Sequence, residues 1–147
     1  MIARARRAAA VACVGSALVS ATAHASPAQD YTLNCMGCHG TRAQGVPGKV
    51  PPLANALSRF MRTPEGRNYV LRVPGAANSA LSDTQLAAVL NWLAVTYDSP
   101  AATDQPAPFT SQEVSLLRHR PLVSVLATRS AVVRNLATTG PAPPTRY

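Results

Sequence analysis

Five consecutive residues, Cys35-Met36-Gly37-Cys38-His39, constrain this chain more than any other part of its sequence. They read C-x-x-C-H, the attachment signal for a c-type haem. Two thiols three residues apart on one turn can each add to a haem vinyl group. The adjacent imidazole is then held beneath the iron as an axial ligand. Two other chemistries use C-x-x-C. A thioredoxin-like redox pair needs a βαβ setting, and no strand-like alternation surrounds the motif. A structural zinc site needs a second pair of ligands, and the chain beyond its leader offers none. The reading is one covalent haem c per chain, attached at Cys35 and Cys38, with His39 as the proximal iron ligand.

The first 25 residues have the three parts of a secretory signal. Arg4, Arg6 and Arg7 supply the positive start, and Ala8 to Val19 is apolar but too short to span a bilayer. Ala23-His24-Ala25 gives the small-x-small pattern, which places cleavage before Ser26 and the mature protein in the periplasm without a membrane anchor. The third cysteine, Cys13, leaves with the leader. Removing the three leader arginines leaves eleven basic residues against six acidic ones, a net charge of +5 rather than +8. A moderately basic surface suits docking to an acidic redox partner such as a dehydrogenase or oxidase. Nucleic acid is not expected as a partner, since the arginines are scattered rather than clustered.

Residues 26–98 read as one small helical domain, too small for a large core of its own, with haem supplying the apolar plate around which helices pack. Pro27 to Asn34 predicts a short helix with proline at its start, and Thr41 to Pro52 is a loop punctuated by glycine and proline. Leu53 to Met61 predicts a second short helix. Thr63-Pro64-Glu65 opens a third, which runs to about Arg72 and is stopped by Pro74-Gly75. Ser82-Asp83-Thr84-Gln85 is a capping box opening the strongest helix, which ends near Asp98. Its Leu86, Val89, Leu90 and Leu93 recur at i, i+3, i+4 and i+7. Trp92 and Tyr69 read as packing residues, one of them against the haem edge in the sharper reading.

Residues 99–109 read as a linker, and 110–147 as a tail of short helices followed by disorder. A capping box at Thr110 to Glu113 begins a helix up to Arg120, and Leu122 to Leu136 predicts another. The tail's apolar residues imply that it folds back on the domain or onto a partner.

These residues resemble class I cytochromes c over roughly Tyr31 to Tyr97. The matching stretches are the motif with Gly40, then Gly45-Val46-Pro47-Gly48 leading to Pro51-Pro52-Leu53, then Leu81-Ser82-Asp83 opening a last amphipathic helix. The resemblance implies an all-α fold, with first and last helices of the domain crossing beside one covalent haem. It also implies that a prolyl carbonyl, from Pro51 or Pro52, accepts the hydrogen bond of the proximal histidine's other nitrogen. The departure is as informative. Such proteins usually place a ligand methionine in the loop before the last helix, and here that loop shrinks to 73–80, with neither Met nor His. Four distal arrangements remain: Met61, His119, Asn78, or an iron that is open or water-capped. The expectation is an open or weakly capped iron, with Met61 the competing ligand.

The expected function is single-electron transfer between redox partners, as a free carrier or as the cytochrome subunit of a dehydrogenase. The rival is an open-site haem protein that binds a diatomic gas or reduces peroxide. A non-redox docking subunit built around the tail is a third class. No nucleophile or acid–base pair is visible, so a carrier is favoured over a catalyst.

Overall fold

In a computed structural model, residues 25–98 and 105–138 are described, together with positions 140 and 143. The leader assigned to residues 1–25, apart from its last residue, lies outside the described residues, as do the first part of the linker and most of the terminal segment read as disordered. Eight helices are present among the described residues: α1 Pro27–Asn34, α2 Met36–His39, α3 Leu57–Met61, α4 Pro64–Arg72, α5 Pro74–Ala77, α6 Asp83–Thr96, α7 Ser111–Leu117 and α8 Val125–Leu136. The fold is all-α, and the one departure among the described residues is an isolated bridge between Val46 and Val50.

Capping sets the starts of the longer helices. Ser26 and Ser82 each accept from the backbone N–H three residues on, and Gln29 and Gln85 each return the bond to the cap backbone. Thr63 and Thr110 cap α4 and α7 in the same way. At α7 the box is incomplete, because Glu113 turns its carboxylate to Arg67 instead of the cap. Several boundaries differ from expectation, among them the end of α7, at Leu117 rather than Arg120. Helix α3 begins at Leu57 rather than Leu53, because residues 54–56 form a turn with Asn55 in the left-handed region. Helix α8 begins at Val125, where Ser124 supplies the cap that Leu122 lacks. Pro74 ends α4 and also starts the single turn α5, since a proline lacks only an N–H that the first turn leaves unused.

Helix α1 crosses α6, and the crossing is aromatic. Tyr31 lies 5.7 Å from Trp92 and 6.4 Å from Tyr97 between ring centroids, and Trp92 meets Tyr97 edge-on. Helices α3 and α4 pack so closely that a side chain on Gly66 would run into the Phe60 carbonyl.

The tail folds back on the domain and shares its core. Helix α7 packs on α6 and α4, and α8 on α4 and α3. Phe109, Val114, Val132, Val133 and Leu136 are buried in the same cluster as Tyr31, Leu71 and Val89. Phe109 is tied at both backbone groups by the Asn91 side chain, at 2.7 and 2.9 Å. Arginines complete the clasp. Arg67 forms a two-bonded pair with Glu113, donates to the Ala107 and Pro108 carbonyls, and lies 4.3 Å over the Phe109 ring. Arg72 reaches the carbonyls of Arg120 and Pro121. Arg118, 5% exposed, donates to the Ser79 and Leu81 carbonyls at 2.8 Å and to Asp83 at 3.0 Å. No described helix is long and apolar enough to cross a membrane.

Candidate functional site

The motif forms a single helical turn, α2, directly after α1. Cys35 caps that turn, and its N–H donates to the Tyr31 carbonyl while His39 N–H donates back to Cys35, so both thiols and the imidazole are fixed by one run of backbone. Gly40 then reverses the chain at φ 79°, and its carbonyl accepts the Tyr31 hydroxyl. The following loop returns to the histidine. At Gly45, φ is 70°, and any side chain there would collide with the Val50 and Pro51 carbonyl groups. Gly45 N–H donates to the His39 carbonyl, which closes the loop on the motif.

That loop brings Pro51 to the imidazole. His39 Nδ1 lies 3.0 Å from the Pro51 carbonyl oxygen, and a carbonyl can only accept. The proton is therefore on Nδ1, and Nε2 keeps its lone pair for a metal. Of the two prolines named from sequence, Pro51 makes the contact. Burial pushes the His39 pKa below its ordinary value, and the bond to Pro51 opposes this. Burial favours the neutral ring, and the bond to Pro51 orients it as a ligand. Burial raises the Cys35 thiol, with Asp30 and Cys38 adding to the rise.

Beside the motif lies a cavity of ≈ 300 Å³ whose wall is mostly apolar. Cys35, Cys38 and His39 line one side. Leu86, Val89, Leu90 and Leu93, the apolar stripe of α6, line another. The same wall includes Phe60 of α3 and Tyr69 and Val70 of α4. Tyr69 is thus core and cavity wall at once, whereas Trp92 packs between α1 and α6. A flat apolar macrocycle fits these walls: the two thiols sit at the edge for thioether bonds, and His39 presents one unprotonated nitrogen. Among the described residues no group of three or more His, Cys, Asp or Glu gathers together.

The distal candidates fall elsewhere. Met61 is 3% exposed in the core between α3 and α4, and its side chain does not line the cavity. Asn78 is exposed at the end of α5, and His119 is exposed after α7; neither lines the cavity. Leu81 is buried but also lies outside the wall, while Val73 belongs to it. The shortened 73–80 segment contributes Val73, Pro74, Gly75, Ala76 and Ser79, none with a nitrogen or sulfur ligand in its side chain.

Lining residues that the sequence reading did not single out include Lys49, Phe60, and Val125 and Arg129 of the tail helix α8, the last two from outside the domain. The spacing of those two carries a signal: Val125, Arg129, Val132, Val133 and Leu136 fall on one helical face, so Arg129 sits inside an apolar stripe. Arg129 is 3% exposed, with its guanidinium 5.2 Å from the Phe60 ring centroid.

Comparison with known proteins agrees with this geometry. The family pattern described as Cytochrome c matches residues 27–72, which run from α1 through the motif and loop to the end of α4. A cytochrome c-552 of Thermus thermophilus is 33% identical over 129 residues, covering 74% of this chain and 86% of the relative. A second cytochrome c-552 of Thermus thermophilus is 33% identical over 115 residues, covering 65% of this chain and 88% of that protein.

Proposed function

The chain belongs to the class I c-type cytochromes, and from that premise we propose that it carries single electrons between redox partners in the periplasm. The observation that carries this reading is the 3.0 Å contact between His39 Nδ1 and the Pro51 carbonyl, at an apolar cavity both motif cysteines line. Cys35 and Cys38 would hold one haem c by thioether bonds, with His39 Nε2 as proximal ligand. The bound haem supplies a one-electron couple.

The protein's own groups then set how that couple behaves. The Pro51 carbonyl fixes the imidazole tautomer and raises its basicity. The α6 stripe and Phe60 give the cavity an apolar wall. Cys38 and Lys49 are both exposed while lining the cavity, so an edge of the site is within reach of a partner. An exposed lysine there, with the +5 charge expected after leader removal, suits an acidic docking surface on a dehydrogenase or oxidase.

One observation favours a second reading of the same site. Among the described residues the cavity wall contains no methionine and no histidine besides His39, which suits an iron that is open or water-capped on its distal side. Such a haem binds a diatomic gas or reacts with peroxide. Spectroelectrochemistry of the purified holoprotein tests both. Electron transfer predicts a covalently retained haem and a reversible one-electron transition. Carbon monoxide that leaves the reduced spectrum unchanged would remove the open-site reading, and haem extractable by acid and organic solvent would remove the attachment itself.

A further inference from the structure

The tail does more than cover the domain, because it contributes a charge to the cavity wall. Helix α8 rests on α3 and α4, and the face it presents places Val125 and Arg129 in the lining. Arg129 is among the most enclosed polar residues described, held against the Phe60 ring that lines the same cavity. The wall has a sign. Its described residues include Lys49 and Arg129 and no aspartate or glutamate. A guanidinium stays charged at any working pH, and in a low-dielectric wall its field acts strongly on whatever fills the cavity. The occupant that fits is therefore apolar over most of its surface and anionic at one place.

Haem has that form: an apolar ring bearing two propionate carboxylates. Taking the haem reading of the cavity as given, we propose that Arg129 binds a haem propionate, so that the C-terminal tail supplies the cation that neutralises the cofactor. Arg129 lies outside the residues matched by the family pattern, which ends at 72. The planar fork of the guanidinium meets a carboxylate with two parallel hydrogen bonds, a geometry lysine does not reproduce. Neutralising that carboxylate removes a negative charge beside the iron, and so favours the ferrous form. It also keeps the propionate ionised through the acid range, because an opposite charge at contact distance opposes the rise that burial would cause.

The test is the reduction potential of the holoprotein as a function of pH in wild type, Arg129→Gln and Arg129→Lys. Arg129→Gln keeps most of the side-chain volume and removes the charge. It should lower the potential by about ten-fold in the reduction equilibrium, ~59 mV for one electron. It should also introduce a redox-linked proton between about pH 5 and pH 8, where wild type is flat. Arg129→Lys should show the same changes at smaller size. A potential and pH profile in Arg129→Gln equal to wild type would overturn the proposal. So would a ten-fold loss of azide affinity for the ferric protein without any change in pH profile, because Arg129 would then serve an external anion at the iron. If neither variant yields holoprotein, the wild-type titration decides: a redox-linked proton in that pH range contradicts a paired propionate. Failure of haem attachment in wild type would instead remove the underlying haem reading.

Discussion

The cavity has two walls built on different rules. The motif wall, residues 35–53, is a short stretch of chain folded on itself, and its key contact joins His39 to Pro51 across twelve positions. The tail wall reaches the same cavity from more than seventy residues further along, through Val125 and Arg129. The first wall is held by backbone geometry: one helical turn, three glycines at positive φ and a carbonyl aimed at a ring nitrogen. The second is held by long cationic side chains that reach distant carbonyls, Arg67 to 107 and 108, Arg72 to 120 and 121, and Arg118 back to 79 and 81. Spacing encodes the first wall. Reach encodes the second, and an arginine's reach leaves no periodic trace in sequence.

The largest effect should come from the motif wall. The double variant Cys35→Ala, Cys38→Ala loses both thioether positions, and the small domain loses the plate its helices pack around. Holoprotein yield, read by haem absorbance after denaturing electrophoresis, should fall to background. Full yield of covalently loaded protein would break the comparison at its stronger end.

Truncation after Asp98 challenges the other wall. It removes Phe109, Val114, Val132, Val133 and Leu136 from one shared core, together with the clasp around Arg67. Removal of this much buried apolar surface should lower the melting temperature of the holoprotein by at least about 10 °C. A truncated protein that melts with the full chain would mean that the tail merely rests on the domain.

Arg118 sharpens the comparison within the clasp. It donates to carbonyls on both sides of residue 80, and it is buried. Arg118→Leu leaves those carbonyls and Asp83 without their donor, and should cost about 2–4 kcal/mol by denaturant unfolding. Arg72→Leu exposes its carbonyl partners to water instead, and should cost about 1 kcal/mol or less. Equal costs would show that burial of the partner carbonyls does not decide the strength of the clasp.

How legible each region was follows from the same distinction. The motif turn, the α6 stripe and the caps at Thr63 and Ser82 are local patterns found where their spacing puts them, whereas the prolyl contact was implied by the resemblance, which left Pro51 and Pro52 open. The docking of the tail was open between the domain and a partner, because an apolar face announces that it needs a cover without saying which one. The stretch 118–120 carries three adjacent polar residues, Arg118, His119 and Arg120, with no pattern that singles one out. His119 and Arg120 are exposed, yet Arg118 between them and the core is buried, since carbonyls 79 and 81 need a donor. Arg129 was legible in principle as the one charge inside the apolar stripe of α8, but only a folded tail shows that this stripe faces the cavity.

The smallest effect belongs to Met61, the one methionine outside the motif apart from Met1. From sequence it competes for the iron; in the fold it packs in the core of α3 and α4 and stays out of the cavity wall. Its backbone carbonyl accepts a bond from Arg67, but that contact does not depend on the side chain. Met61→Leu keeps volume and apolarity and removes the thioether, so it separates packing from ligation. The expected outcome is an unchanged visible spectrum in both oxidation states, an unchanged potential, and a stability change below about 1.5 kcal/mol. Loss of a low-spin spectrum with a gain of carbon monoxide binding would instead require the α3 end to move into the cavity when haem is bound. That result would make the distal side a third wall, supplied by neither the motif nor the tail.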